Sequence, residues 1–288
     1  SLHPHHVGEV FTEPRFFVKE REMDNRAIGF FDSGLGGLTS VPVLKRALPN
    51  EKVLYFGDTA RTPYGSKSPE TVCKFSAQIV DYLVSKNVKL IVIACNTVTA
   101  MALDMLRERH PDVPIVGVID PTARRVAADN APNVGIIGTK VTIESGVYAE
   151  RIHELNPEIS TYSLACPAFV PLIEEGIIDN EIMDLTIKYY MDDFVKDNRI
   201  DSLILGCTHY PLIAPNINRL YPELRLYNSS AEVIRDVVEI LTERDILAEE
   251  NDFPDRFYAS DLSENFIRMT DTLFEGYDTK IKLKKLDD

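Results

Sequence analysis

Residues 90–97 read LIVIACNT, an apolar run that ends in a cysteine followed by two polar residues. A short and wholly apolar run of this kind predicts a strand that is buried on both faces of a parallel sheet. When the sequence is aligned with itself at an offset of 112 residues, residues 202–209, SLILGCTH, align with this stretch, and Cys207 aligns with Cys95. Chance likeness between two βα units is the alternative, but the coincidence of the cysteine and its polar successors favours an internal repeat.

Short apolar runs alternate with longer amphipathic runs along the rest of the chain. This pattern predicts strands at residues 27–31, 52–56, 90–94, 115–118, 134–137, 161–164, 203–205 and 225–227, with helices between them. We therefore predict an α/β fold: two similar open-sheet α/β domains related by a pseudo-twofold, with the active site in the cleft between them. Each domain would present one cysteine at the carboxyl end of a strand, which is where ligands bind in open sheets.

We expect four segments, namely a leader, two domains and a tail, with the first domain assembled from two stretches of chain. Their bounds are 1–25 for the leader, 26–119 plus 229–275 for the first domain, 120–228 for the second and 276–288 for the tail. The leader is expected to be disordered, and its three histidines to be an expression remnant rather than a metal site: His3, His5 and His6. The basic run at 280–285 in the tail is predicted to be solvated.

Composition excludes several classes of protein. The formal net charge of −14 and the pI of about 4.9 oppose a nucleic-acid partner, because nucleic-acid surfaces are built from clustered Lys and Arg. No apolar window reaches the ~18 residues of a membrane span and no secretory signal is seen, so we predict a cytoplasmic protein without a membrane partner. Its four cysteines should then be reduced, and no pair has a close metal-ligand spacing, so no metal is predicted.

Cys95 and Cys207 are the first candidates for chemistry. A cysteine at a strand tip that opens a helix meets unpaired N–H groups and the positive end of the helix dipole, which favour a thiolate. An isolated cysteine is more often an inert buried residue, but a matched pair with polar neighbours favours a pair of reactive thiols. Cys73 and Cys166 have no such counterpart and are predicted to be buried.

The turn Asp32-Ser33-Gly34-Leu35-Gly36-Gly37 follows a predicted strand and precedes a predicted helix. Its glycines would let the backbone approach an anionic ligand. The spacing does not match a dinucleotide fingerprint, so a small carboxylate or amino acid fits better. The alternative is a tight turn in which the aspartate caps the helix.

Three further positions each have a structural alternative. His209, two residues after Cys207, could tune that thiol or donate a proton, or it could be a core histidine. Glu174 ends a helix-like run and could equally belong to a solvated face. The turn at 63–65, Pro-Tyr-Gly, taken alone indicates only a surface loop.

Taken together, these motifs resemble those of bacterial glutamate racemases, within the wider aspartate/glutamate racemase group. The matching stretches span residues 27 to about 231: Asp32–Gly37, Pro63-Tyr64-Gly65, Ala94-Cys95-Asn96-Thr97, Cys166-Pro167 with the run to Glu174, and Gly206-Cys207-Thr208-His209-Tyr210-Pro211-Leu212. Two departures are visible. Asp120-Pro121-Thr122 stands where the family has Glu-Pro-Gly, and residues 1–25 exceed the usual start.

The resemblance implies a cofactor-independent enzyme that interconverts L- and D-glutamate, supplies D-glutamate for peptidoglycan and forms a homodimer. It implies that Cys207 acts on L-glutamate and Cys95 on D-glutamate, with Asp32, Glu174 and His209 assisting proton transfer. The substrate-binding residues that it implies are Asp32, Ser33, Pro63, Tyr64, Gly65, Asn96, Thr97, Thr139, Thr208 and His209.

Two thiols suit racemisation, because a proton must leave one face of the α-carbon and return to the other, and one rigid side chain cannot reach both faces. Three alternatives stay open at this point. A sister racemase acting on aspartate or a hydantoin would use the same pair, a silent binding protein could keep the fold, and a redox dithiol protein could use two cysteines. The last is disfavoured by the 112 residues between the thiols and the lack of a Cys-x-x-Cys motif.

Overall fold

The computed structural model describes residues 24–249, 252–273 and 280–286. Within these ranges the strands are β1 Ile28–Asp32, β2 Val53–Gly57, β3 Leu90–Ile93, β4 Ile115–Gly117, β5 Asn133–Gly138, β6 Ser160–Ala165, β7 Ser202–Gly206, β8 Arg225–Asn228, β9 Arg256–Ala259 and β10 Ile281–Leu283. They form two sheets, both parallel throughout, in the orders β10-β9-β2-β1-β3-β4 and β6-β5-β7-β8. The eight predicted strands are confirmed, each to within one residue at either end.

Strand order confirms the internal repeat. The order β2-β1-β3-β4 in the first sheet has its counterpart in β6-β5-β7-β8, so the chain winds through each sheet in the same way. Cys95 follows β3 and Cys207 follows β7, which are corresponding strands. The predicted fold class, two similar open-sheet α/β domains, is therefore confirmed.

Helices connect the strands, as expected when parallel strands must be joined by crossovers. They are α1 Ser40–Ala47, α2 Pro69–Ser85, α3 Asn96–Arg109, α4 Ile119–Asp129, α5 Lys140–Ser145, α6 Val147–Leu155, α7 Phe169–Glu174, α8 Glu181–Asp197, α9 Ala214–Leu220, α10 Ser229–Glu243 and α11 Glu264–Leu273. Three short 3₁₀ turns lie at Gly36–Thr39, Tyr64–Ser66 and Tyr210–Ile213. All three turns overlap motifs singled out from the sequence, where glycine and proline oppose a regular helix.

The inner strands are apolar because they are covered on both faces. Every residue of β1, β2, β3 and β7 is buried, whereas the edge strand β6 has only half-buried and exposed residues. This difference explains why the inner strands read as continuous apolar runs while β6 reads STYSLA. The sheets thus hold the carboxyl ends of β1, β3, β5 and β7 at fixed positions.

The chain passes between the sheets twice, once in the segment that contains α4 and once where β8 leads into α10. These two helices pack against each other. The Asp120-Pro121-Thr122 departure lies in the first turn of α4, where the Thr122 hydroxyl donates to the carbonyl oxygen of Val118 at 2.7 Å. The buried Thr122 is accommodated inside the helix, so the departure leaves the crossing helical.

The first sheet contains two strands that we did not predict, β9 and β10. β10 lies in the range predicted to be a solvated tail, and this prediction needs correction because Ile281 to Leu283 pair with β9 and extend the sheet. The lysines at 280, 282, 284 and 285 are exposed, as predicted. A short edge strand rich in lysine resists pairing with other chains. Its lysines also interrupt the apolar pattern by which a strand is predicted.

The predicted leader falls almost entirely outside the described residues, including His3, His5, His6 and Met23. Its last residues are held against the first sheet: Lys89 Nζ donates to the carbonyl oxygen of Asp24 at 2.6 Å, and Asn25 Oδ1 accepts from Glu249 N at 3.0 Å. Among the helices of the described ranges, none combines the length and apolarity that a membrane crossing needs.

Candidate active site

The two cysteines face one small cavity between the sheets. Cys95 is the N-cap residue of α3 and Cys207 follows β7, and both are buried, with 5% and 7% of their surface exposed. The cavity is lined by Ser33, Thr62, Pro63, Tyr64, Gly65, Cys95, Asn96, Thr97, Thr139, Val170, Gly206, Cys207, Thr208 and His209. Strand ends from both halves of the repeat therefore meet at one place.

The cavity is small in this structure. Its volume is about 30 Å³, which has room for water but not for an amino acid. Two glycines lie where the domains touch: a Cβ at Gly36 would lie 2.5 Å from Thr208 Oγ1, and one at Gly65 would lie 2.6 Å from Thr139 Cβ. These positions require glycine for the close approach of the two domains.

The Cys95 side of the cavity is built by the turn after β1. The Cys95 thiol donates to Ser33 Oγ at 3.5 Å. Burial raises the pKa of Cys95 to about 12, the charge of Asp32 acts in the same direction, and the Ser33 hydroxyl opposes both. At neutral pH this cysteine is a thiol, so it is suited to giving a proton.

Asp32 is close enough to this thiol for its charge to act on it. Its Oδ2 accepts from the backbone N–H groups of Gly34 at 3.2 Å and Gly37 at 3.0 Å, which is the helix-capping alternative predicted for this turn. Its Oδ1 is buried without a hydrogen-bond partner among the described residues. Burial raises the pKa of Asp32, while the Gly37 N–H and the charge of His209 offset part of that rise. Asp32 is fully buried and does not line the cavity in this structure.

The Cys207 side uses different groups. Cys207 Sγ lies 3.9 Å from His209 Nδ1, and His209 Nε2 lies 3.1 Å from Glu174 Oε1. Burial disfavours the charged imidazole, but the hydrogen bonds with Cys207 and Glu174 outweigh it and raise the pKa of His209 to about 10. At neutral pH His209 is therefore an imidazolium between a sulfur and a carboxylate. Glu174, half-buried at the end of α7, is thus not a freely solvated residue.

A cluster of threonine hydroxyls bridges the domains on the far side of the cavity. Thr97 Oγ1 lies 3.1 Å from Thr139 Oγ1 and 3.2 Å from Thr142 Oγ1. Thr97 is in the first turn of α3 and Thr139 is the N-cap residue of α5. Two helix N-termini with hydroxyl donors favour an anionic group such as a carboxylate.

The Pro63-Tyr64-Gly65 loop forms one wall and is anchored from behind by Asp58. The Tyr64 hydroxyl donates to Asp58 Oδ2, and Arg61 Nε donates to the same carboxylate at 2.7 Å. Burial and the Asp58 charge raise the pKa of Tyr64 well above its usual value, so the phenol stays neutral. The sequence indicated only a surface turn here, and its link to a buried carboxylate fixes the loop over the cavity.

Of the predicted site residues, those that line the cavity are Ser33, Pro63, Tyr64, Gly65, Cys95, Asn96, Thr97, Thr139, Cys207, Thr208 and His209. Asp32 and Glu174 do not line it and reach it through neighbouring groups. Sequence reasoning missed Thr62, Val170 and Gly206 in the lining, and Asp58 and Thr142 behind it. Thr62 and Gly206 adjoin motifs already singled out, whereas nothing in the local sequence marks Thr142.

The remaining cysteines lie away from this arrangement. All four cysteines are free thiols, and Cys166 is buried, with its carbonyl oxygen accepting from the Tyr210 hydroxyl at 3.2 Å. A larger cavity of about 460 Å³ lies between α7 and α11, and Glu174 lines this larger cavity. In the part of the chain that the structure describes, no group of three or more His, Cys, Asp or Glu side chains is placed to hold a metal.

Comparison with known proteins gives a consistent picture. The sequence profile of the family described as Asp/Glu/Hydantoin racemase matches residues 41–237. A protein described as glutamate racemase from Geobacter metallireducens is 45% identical over 254 residues, which cover 87% of this chain and 93% of that protein.

Solved structures extend the likeness to the fold. The crystal structure of glutamate racemase from Francisella tularensis in complex with D-glutamate has a TM-score of 0.86 and 39% identity, covering 92% of this chain and 99% of the other. An aspartate racemase from Picrophilus torridus is 16% identical with a TM-score of 0.54, covering 75% of this chain and 94% of the other, and shares the fold alone.

Proposed function

Because this chain belongs to the Asp/Glu/Hydantoin racemase family, we propose that Cys95 and Cys207 are the two acid/base groups of its reaction. The activity is glutamate racemisation, the interconversion of L- and D-glutamate by an isomerase. D-glutamate for peptidoglycan is the standard role of this family. The observation that carries the two-thiol assignment is that both sulfurs border one cavity from different sheets.

For L-glutamate, the Cys207 thiolate takes the α-proton and the C–H electron pair stays on the α-carbon, delocalised toward the α-carboxylate. Cys95, a thiol at neutral pH, gives its proton to the opposite face. The products are D-glutamate, a Cys207 thiol and a Cys95 thiolate, and D-glutamate reverses every step. The protons balance and no electrons are exchanged with another molecule, so we propose that no cofactor takes part.

The neighbours of each thiol supply the charge that its half-reaction needs. The His209 imidazolium, 3.9 Å from Cys207 Sγ, stabilises negative charge on that sulfur, and Glu174 keeps the imidazole protonated. Asp32 and Ser33 are the corresponding neighbours of Cys95. The Ser33 hydroxyl lies 3.5 Å from the Cys95 sulfur and stabilises its thiolate form. The two thiols thus use different helpers for one kind of step.

Substrate binding follows from the remaining polar groups of the lining. Asp32 adjoins Ser33 of the lining, and we propose that its unpartnered Oδ1 receives the substrate ammonium when the domains separate. The helix N-termini and hydroxyls suit the two carboxylates: Ser33, Asn96, Thr97, Thr139 and Thr208. Pro63, Tyr64 and Gly65 close the wall, and His209 completes the set on the Cys207 side. The distance between the two carboxylate sites would select glutamate over the shorter aspartate.

The deciding experiment is incubation of the purified protein with L-glutamate in deuterium oxide, without added cofactor, while optical rotation and α-proton exchange are followed. We expect loss of rotation and deuterium in the D-glutamate formed. The proposal would be overturned if Cys95→Ser and Cys207→Ser proteins kept full turnover. L-aspartate in place of L-glutamate tests the substrate, and faster turnover of aspartate would favour the sister racemase.

We further propose a homodimer that works in the cytoplasm, with domains at residues 26–119 plus 229–275 and 120–228. The four free thiols are compatible with a reducing compartment. Light scattering over a range of protein concentrations measures the oligomeric state, and a constant monomer mass would contradict the dimer. Fractionation of the source cells tests the compartment.

A further inference from the structure

Tyr148, in α6, touches the immediate surroundings of both thiols. Its side chain is buried, with 3% exposed. Its ring packs against the residue before Cys207, since a Cβ built on Gly206 would lie 3.5 Å from Tyr148 Cε2. No sequence motif pointed to this residue.

The other end of the same side chain reaches the first domain. The Tyr148 hydroxyl donates to Oδ1 of Asn96, the residue that follows Cys95 and begins α3. Asn96 Nδ2 donates to Ser229 Oγ at 3.3 Å, and Ser229 Oγ donates to the carbonyl oxygen of Leu205 in β7 at 3.1 Å. We call Tyr148, Asn96 and Ser229 the tyrosine bridge, since the chain of bonds runs from the neighbour of one thiol to the strand that carries the other.

The tyrosine bridge is shielded from water. Asn96 is 2% exposed and Ser229 is 1% exposed. A buried network in which every member is paired holds one geometry, because each broken bond leaves a polar atom without water to replace it. Ser229 also starts α10, one of the two segments in which the chain passes between the sheets. The bridge therefore lies where the relative position of the domains is set.

We propose that Tyr148 is a positioning residue that sets the separation of the two thiols: its ring locates the backbone before Cys207 and its hydroxyl locates the residue after Cys95. This inference rests on the proposed two-thiol function. Both directions of the reaction use both thiols in every turnover, one to abstract and one to deliver a proton, so a change in their spacing affects both directions alike. Reacting atoms must be held at near-attack distances, and a shift of about 1 Å costs about a hundredfold in rate.

The test is Tyr148→Phe, which removes the hydroxyl and keeps the ring. We expect kcat to fall ~10- to 100-fold by the same factor with L- and D-glutamate, with KM changed less than threefold. In deuterium oxide, we expect more deuterium in the unreacted enantiomer relative to the inverted one, because abstraction by one thiol continues while delivery by the other fails. A role limited to stability would leave this exchange ratio unchanged.

Tyr221→Phe is the matched control. Tyr221 is also buried and also donates its hydroxyl to a side chain, Asp192 Oδ1 at 2.5 Å, on the α8 side of the second domain. We expect similar loss of thermal stability and unchanged kinetics. Equal exchange ratios in the two variants would overturn the proposal, as would unequal loss in the two directions.

Ser229→Ala decides the question if Tyr148→Phe does not fold. It cuts the link to Leu205 and leaves the Tyr148–Asn96 bond, so we expect the same rise in exchange ratio with a smaller loss of kcat. An unchanged ratio there would overturn the proposal. Failure of the underlying function is recognised separately, because the unmodified protein would then show neither exchange nor racemisation of glutamate.

Discussion

The Cys95 and Cys207 halves of the site share a backbone but not a chemistry. Both thiols follow corresponding strands, β3 and β7, in sheets of the same strand order. Cys95 meets a serine hydroxyl at 3.5 Å, whereas Cys207 meets an imidazole at 3.9 Å that is itself paired with a carboxylate.

The difference shows what the internal repeat preserves. It preserves the position of a cysteine at a strand end, because that position follows from strand order and crossover geometry. It does not preserve the helpers, since Asp32 ends β1 and Ser33 follows it, whereas Glu174 comes from the end of α7. The predictions below test whether that asymmetry governs the reaction.

The largest effect is expected when either thiol is replaced. Cys95→Ser and Cys207→Ser should each lower kcat about 10³-fold or more in both directions, because every turnover uses both groups and a serine hydroxyl is a weak acid and base. Exchange of the α-proton should survive best for the enantiomer that faces the remaining thiol. Steady-state rates and exchange in deuterium oxide measure both outcomes.

Cys73→Ser is the control for these variants. Cys73 lies in α2, outside the cavity lining, and its thiol contacts the carbonyl oxygen of Met101 at 3.5 Å. Its replacement should leave turnover within twofold. A loss as large as that of the cavity cysteines would mean that thiol replacement acts through the fold.

His209→Asn should produce the next largest effect and should separate the directions. We expect kcat to fall about 10²-fold with L-glutamate and about tenfold with D-glutamate, because only the Cys207 thiolate loses its imidazolium. The enantiomers have equal free energy, so kcat/KM must be equal in the two directions, and the asymmetry must appear in kcat and KM separately. Equal losses of kcat would contradict the asymmetric assignment.

Glu174→Gln should shift the pH above which kcat for L-glutamate falls. The pKa of folded His209 is raised to about 10, so the imidazolium is present at neutral pH and is lost as pH rises through that value. Removing the carboxylate should lower the His209 pKa and bring the alkaline fall of kcat for L-glutamate to lower pH. A pH profile that stays unchanged would rule out the ion pair as the cause.

The same variant has a signature in stability. The pKa of His209 is higher in the folded protein, about 10, than its ordinary value of 6.5. Its protonation therefore stabilises the fold fully below pH 6.5, and this stabilisation is lost as pH rises through about 10. Glu174→Gln should therefore lower the melting temperature most at pH 6 and least near pH 10.5. Melting curves at both pH values check this.

Ser33→Ala should give the smallest effect. One neutral hydrogen bond is worth about 0.5–1.5 kcal/mol, which corresponds to roughly a 2- to 10-fold loss. The loss should appear in kcat with D-glutamate, because the Ser33 hydroxyl favours the Cys95 thiolate. A larger loss with L-glutamate would place this hydroxyl on the substrate instead.

The sequence predicted the parts of the molecule that follow from local patterns. Eight strands were visible because inner parallel strands are continuous apolar runs, and the thiols were visible because the runs end in them. β10 was missed because an edge strand of lysines has no apolar pattern. β9 was missed because its sequence, Arg256-Phe257-Tyr258-Ala259, is short and begins with a charged residue rather than an apolar run.

Contacts over long sequence separations could not be predicted. Tyr148 acts through a partner that only the fold brings near, since it lies 52 positions from Asn96. The role of Asp32 and Glu174 in proton transfer came from the resemblance, and the contacts of these two side chains required the structure. Residue type and spacing therefore indicated the chemistry, while the tertiary fold determined which groups support it.

Because the chain passes between the sheets twice, the two sheets are completed at different times during synthesis. All four strands of the second sheet lie between residues 133 and 228, so that sheet is complete in sequence once Asn228 has left the ribosome. The first sheet, whose inner strands are made earliest, receives β9 and β10 only afterwards. Since domains fold as units during synthesis, the half that carries Cys207 can be finished while the half that carries Cys95 still awaits its outer strands.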